Sequence, residues 1–186
     1  VESDGYRKRL WSQLAEAYAK LMYTYETQQQ AANQKTKRHN KISTVQIGLT
    51  AASSAGFVGV AVNQVYYAAL VSSALAAVSL GLNLYLRGAS LAEDAVEHRA
   101  SADSLWPILQ DYISLLTDFD DMTIEGILAA RQELQNRTEE QYDHAPRTDE
   151  RAYKRARKIL KVEDGQSFGE NECDQLLPVA LRGKIL

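Results

Sequence analysis

The 186-residue chain has a single cysteine, Cys173, and only three prolines. One thiol excludes an intramolecular disulfide and any cysteine-rich zinc module. So few prolines leave long helices uninterrupted. Walker loops, Rossmann glycine fingerprints and GxSxG elbows are all missing. His39, His98 and His144 stand far apart, with no HxxxH or HExxH pair to hold a metal, and are expected at surfaces or interfaces. Asp118, Asp120 and Asp121 lack the glycine-containing loop of a calcium site and read as a helix-start cluster. Cys173 lies in an acidic tail without an activating cation, so it reads as an ordinary thiol. Neither enzymatic activity nor a cofactor nor a metal is expected. A net charge of −3 argues against a general nucleic-acid binder.

The most informative absence is of charge itself. Residues 42–86 contain no Asp, Glu, Lys or Arg, in a chain that is 24% charged. Residues 1–41 carry a positive surplus and residues 87–186 a negative one. A bilayer core of about 30 Å needs about 20 helical residues. The uncharged window therefore reads as two membrane spans, 42–62 and 65–86, joined by a short turn at Asn63–Gln64. Lys35, Lys37, Arg38 and Lys41 precede the first span and Arg87 follows the second. The turn itself is uncharged, so the positive-inside rule places both termini in the cytoplasm. The basic residues are expected to fix topology through anionic lipid. No secretory signal is expected, because the first apolar run begins only at residue 42.

The spans are rich in Ala, Ser and Gly, which allow helices to approach closely in lipid, as at Ala52, Gly56 and Gly59. Their polar residues are ordered. Ser43, Gln46, Thr50 and Ser54 share one face of the first span, and Ser72, Ser79 and Asn83 one face of the second. Folding the hairpin at 64–65 sets Gln46 level with Asn83 and Thr50 level with Ser79. Two readings are compatible with that register. In one, these residues hold a single hairpin together by inter-helix hydrogen bonds. In the other, several hairpins assemble with Gln46, Thr50, Ser54, Ser79 and Asn83 facing a water-filled pore.

Tyr6, Leu10, Leu14, Tyr18, Leu21 and Tyr25 recur at helical spacing, so residues 5–40 read as one amphipathic helix leading into the first span. After the spans, helices are expected across 88–162. One runs over Ser90–Ala102, and a new start follows at Asp103 or Ser104, where Pro107 would be tolerated. Two more occupy about 121–143 and 147–162, separated by Pro146. Leu105, Trp106, Ile108, Leu109, Tyr112, Ile113, Leu115, Leu116 and Phe119 form a broad apolar face, the expected centre of a cytoplasmic core. Residues 163–186 read as a loose tail that pairs with another subunit. No alternating pattern supports a strand, so the expected fold is all-α, with a single domain over 1–162.

This layout of a long helix ending in a basic patch, two closely spaced spans and a helical cytoplasmic region resembles the SLATT family. The likeness covers residues 5–145 and includes Arg9–Leu10–Trp11, Lys37–Arg38–His39 and Arg87–Gly88 before an Ala-rich helix. The SLATT proteins are two-span effector domains associated with nucleotide-generating enzymes and nucleotide sensors in bacterial defence islands. The resemblance implies an anti-phage effector of the bacterial inner membrane that forms homo-oligomeric pores. Its partners would be the lipid bilayer and an activating nucleotide or sensor protein acting in trans. No sensor or nucleotide-binding domain is recognisable here, in contrast to longer members. Two other classes remain open: a membrane-anchored scaffold that conducts nothing, and a soluble bundle that binds a ligand.

Overall fold

The computed structural model describes residues 2–63, 66–160 and 172–183. Among the described residues the chain is all-α, with helices α1 (Glu2–Asn63), α2 (Tyr66–Gly88), α3 (Leu91–Thr117), α4 (Ile124–His144), α5 (Glu150–Ile159) and α6 (Glu172–Leu176), then a 3₁₀ turn at Val179–Leu181. With no proline before Pro107, nothing interrupts α1, and the amphipathic helix and first span are one element. The expected turn lies largely at residues 64–65, outside the described residues. After α2 the chain reverses through Ser90, whose φ of 44° lies in the left-handed region.

The helix start expected near residue 103 does not occur. Instead α3 is continuous from Leu91 to Thr117, with Pro107 inside it. A proline there removes one backbone bond and costs about 3 kcal/mol in an isolated helix. Both Pro107 and Asp103, whose carbonyl loses its donor, face solvent. The buried side chains of Leu105, Ile108 and Leu109 on the opposite face outweigh that cost. Helices α4 and α5 are shorter than their pattern suggests, because side-chain caps define their starts. Thr123 accepts from the Gly126 N–H at 3.2 Å, and Asp149 from the Ala152 N–H at 2.7 Å.

Packing divides the chain into two units, Val1–Ala32 with Glu97–Leu186, and Asn33–Val96. In the first unit Leu10, Leu14, Tyr18 and Leu21 of α1 pack with Leu105, Ile108, Leu109, Tyr112 and Leu116 of α3 and Ile127 and Leu134 of α4. Burial raises the phenol pKa of Tyr18 and Tyr112. Two expected core residues lie nearer the surface: Tyr6 is 36% exposed, and Trp106 is 48% exposed against Tyr25. Trp11 fills the interior and meets Phe119 edge-on at a centroid distance of 5.2 Å.

The acidic trio Asp118, Asp120 and Asp121 belongs to the turn between α3 and α4 rather than to a helix start. Arg7 organises that turn. Its guanidinium donates to the carbonyls of Phe119 (2.5 Å), Met122 (3.0 Å) and Asp120 (3.3 Å), and lies over the Phe119 ring. These carbonyls belong to the turn that follows the last residue of α3, and the guanidinium supplies donors that the turn backbone does not.

His98, expected at a surface or interface, is buried, with its Nδ1 2.6 Å from Gln28 Oε1. The Gln28 amide in turn donates to the Pro146 carbonyl. Burial of these groups is tolerable because each meets a polar partner. Nor is the tail wholly loose. Leu177 and Leu181 belong to the first unit's core, and Arg182 donates to the Leu177 and Gln175 carbonyls. The remainder, residues 163–171 and 184–186, lies outside the described residues.

Two outcomes follow from this core. Leu177→Ala, at a side chain only 1% exposed, should destabilise the protein by about 2–4 kcal/mol, the usual range for a buried leucine. Denaturation followed by circular dichroism in detergent micelles checks this, and an unchanged midpoint would show that the segment does not dock. The raised phenol pKa values mean that the folded chain holds those protons more tightly than the unfolded one. Their contribution is complete below pH 10.0, the ordinary phenol value, and is lost as pH rises through the folded pKa values. Changing Tyr18 to Phe should remove part of that alkaline loss in the same measurement.

Candidate functional site

The second unit is a helical hairpin made from the later part of α1, all of α2 and the start of α3. Its packing reverses the usual order of polarity. Among the described residues of 42–88, the buried ones are Ser53, Ser72 and Ser79. Ile47, Val58, Leu80 and Leu84, by contrast, are 61–67% exposed, and Tyr66 and Tyr67 more so. Within Tyr66–Thr117 lies the one helical stretch, among the described residues, that is long and apolar enough to cross a membrane, and only 11% of its apolar window is buried. A core helix of a soluble protein would be mostly buried. At about 1.5 Å per residue, α2 is about 34 Å long, matching a hydrocarbon core of about 30 Å.

Hydroxyl groups join the two helices. Thr50 donates to the Gln46 carbonyl at 2.9 Å, and its Oγ1 lies 2.6 Å from Ser79 Oγ, which is itself 3.5 Å from the same carbonyl. Ser53 donates across the hairpin to the Ser72 carbonyl at 2.8 Å. At Gly56 the helices come so close that a Cβ would collide with the Ser72 hydroxyl, so the absence of a side chain is required there. The hydroxyls facing away are satisfied within their own helices: Thr44 donates to Asn40, Ser54 to Thr50 and Ser73 to Leu70. A helix surrounded by lipid has no water to offer such groups, so internal satisfaction is what that environment demands.

The structure thus brings Thr50 and Ser79 together but not every residue of the two stripes. Ser54 is exposed and bonds only along its own helix, while Gln46 and Asn83 are half-buried. The residue that sequence spacing missed is Ser53. Steps of four from Gln46 through Thr50 to Ser54 drift about 40° each around a helix, whereas Gln46 to Ser53 is seven residues and nearly two full turns. Ser72 and Ser79 are also seven apart. That heptad spacing was the signal for the contact face.

At the open end of the hairpin the basic residues have separate surroundings. Lys35 forms an ion pair with Asp94 at 2.5 Å. Arg38 lies over the ring of Tyr85, 5.7 Å from its centre. Lys37, Lys41 and Arg87 are exposed. Among the described residues no cluster of His, Cys, Asp or Glu could hold a metal ion.

If this register is correct, Thr50→Cys with Ser79→Cys, in a Cys173→Ser background, should form an intrachain disulfide on mild oxidation. Ser54→Cys with Ser79→Cys should not. Gel mobility without reductant distinguishes the two, and Gly56→Leu should sharply lower the yield of the first by forcing the helices apart. Equal cross-linking of both pairs would refute the heptad face.

No curated protein and no solved structure matches the chain. A family does. Residues 10–172 match the family described as SMODS and SLOG-associating 2TM effector domain family 4. That match takes in both helices of the hairpin and most of the first unit, and it agrees with an apolar exterior wrapped around a hydroxyl seam. The chain belongs to the SLATT family of two-span membrane effector domains.

Proposed function

We propose that this protein is an effector of a bacterial anti-phage system. It inserts its hairpin in the inner membrane with both termini in the cytoplasm, and on activation it oligomerises to permeabilise that membrane. The observation that carries this reading is the inverted hairpin, which buries Ser53, Ser72 and Ser79 and exposes Val, Leu, Ile and Tyr side chains. In water such an exterior would be an aggregation surface, whereas in lipid it is the favoured one. Family membership supports the effector role. The chain acts by its effect on the bilayer, without catalysis or a cofactor, and its trigger is a nucleotide or a sensor protein acting in trans.

Within the assembly the polar residues divide their work. The contact between the Thr50 and Ser79 hydroxyls sets the registry of one hairpin. Gln46 and Asn83, which are half-buried, are free to face a pore or a neighbouring copy. Lys37, Lys41 and Arg87 hold the cytoplasmic ends of the spans at the lipid headgroups.

Ion flux from liposomes reconstituted with the purified protein tests the proposal, with and without cytoplasmic extract from infected cells. Flux that requires the extract is the expected result, and Gln46→Leu with Asn83→Leu should abolish it while leaving insertion intact. Normal flux in that double variant would remove the pore-lining role. No flux from an inserted protein under any condition would make it a membrane-anchored scaffold instead.

A further inference from the structure

Helix α5 is unlike the rest of the first unit in its charge. The chain beyond residue 87 has an acidic surplus, yet α5 carries Arg151, Lys154, Arg155, Arg157 and Lys158 within its ten residues. Its fully buried residues are Ala152 and Ala156. They are four apart on one face, and their small side chains let the helix backbone lie close to the unit. The long side chains on the opposite face therefore point to solvent. Arg151, Arg155 and Lys158 are separated by four and three residues and form one exposed stripe. Lys154 lies beside it, paired with Glu150 at 2.7 Å on the open surface, a contact of little energetic weight. Ile159, 53% exposed, borders the stripe.

Helix stability does not account for this arrangement. Cations favour the last turn of a helix, which explains Arg157 and Lys158. Arg151 stands in the first turn, where the helix dipole opposes a positive charge. Its presence there, aligned with Arg155 and Lys158, points to something negative outside the molecule.

We propose that the Arg151–Arg155–Lys158 face of α5 binds the anionic headgroups of a bilayer, giving the protein a second membrane contact besides its hairpin. The proposal rests on the membrane reading above, because a chain already held at a bilayer meets headgroups at high effective concentration. The chemistry favours lipid over nucleic acid. An apolar side chain beside a short cationic stripe suits the boundary between headgroups and acyl chains, and the net charge of −3 opposes a long polyanion. Each cation near an anionic surface contributes about a fivefold gain in partition. The contact should therefore depend on lipid charge and weaken with salt.

The test uses the full chain with Cys173→Ser and a fluorescent label at Ile159→Cys. The protein is reconstituted in vesicles of phosphatidylcholine with or without phosphatidylglycerol. In anionic vesicles, quenching by aqueous acrylamide should fall several-fold relative to neutral ones. Raising salt from about 0.1 to about 1 M, which shortens the screening length from about 10 to about 3 Å, should reverse the protection. Arg151→Glu, Arg155→Glu and Lys158→Glu together should abolish it, while Arg151→Lys with Arg155→Lys should retain it. The same label at Leu80→Cys reports the hairpin separately. Exposure of that position to quencher in both vesicles would strike the membrane reading, whereas protection there with equal quenching at 159 would overturn the role of α5 alone. Protection at 159 produced by a single-stranded oligonucleotide, and not by phosphatidylglycerol, would also overturn it.

Discussion

The hydrogen bonds between Thr50 and Ser79 and between Ser53 and the Ser72 carbonyl hold the hairpin in register, and Gly56 lets the helices come near enough to make them. Between lipid-facing helices there is no apolar driving force of the kind that folds soluble cores, so close packing and polar contacts must supply the association. Individually such contacts are modest, about 0.6 kcal/mol on average in a membrane protein. Their importance lies in direction. They turn Ser53, Ser72 and Ser79 inward, and leave much of the outer surface to Val, Leu, Ile and Tyr.

The first unit follows the opposite rule. There the buried surface is mostly Leu, Ile, Tyr and Trp, and the buried Gln28 meets partners in His98 and the Pro146 carbonyl. The helix α1 contributes to both units, and what it buries changes along its length: Leu10, Leu14 and Leu21 in the first, Ser53 in the second. The change follows the Lys35–Lys41 region, where Lys35 and Arg38 are engaged by Asp94 and Tyr85. Two solvents, water and lipid, are thereby matched by one helix without a break in its backbone.

Surface charge adds a further level. Exposed cations gain little from isolated ion pairs in water. A row of them on one helix face gains much more from a surface of opposite sign. In α5 the buried residues are alanines, which fit that role because they secure the helix while Arg151, Arg155 and Lys158 stay exposed.

The all-α fold and the family were legible in the sequence, because each depends on local chemistry. An uncharged window of forty-odd residues has a solvation cost that only a few environments meet, and the apolar spacing from Leu10 to Leu21 and from Leu105 to Phe119 sets helix faces directly. The level pairing of Thr50 with Ser79 also followed from counting back from the turn. What spacing alone misjudged was decided in three dimensions. Ser53 rather than Ser54 faces α2, because two closely packed helices meet on a seven-residue repeat. Pro107 does not end α3, because tertiary burial on one face exceeds the cost of one lost backbone bond on the other. His98 is buried and Leu177 joins the core, because partners distant in sequence, Gln28 in one case and the first unit's apolar centre in the other, are brought within contact only by the folded chain. Local composition determined which solvent each segment seeks, and tertiary packing decided which atom of each segment meets which.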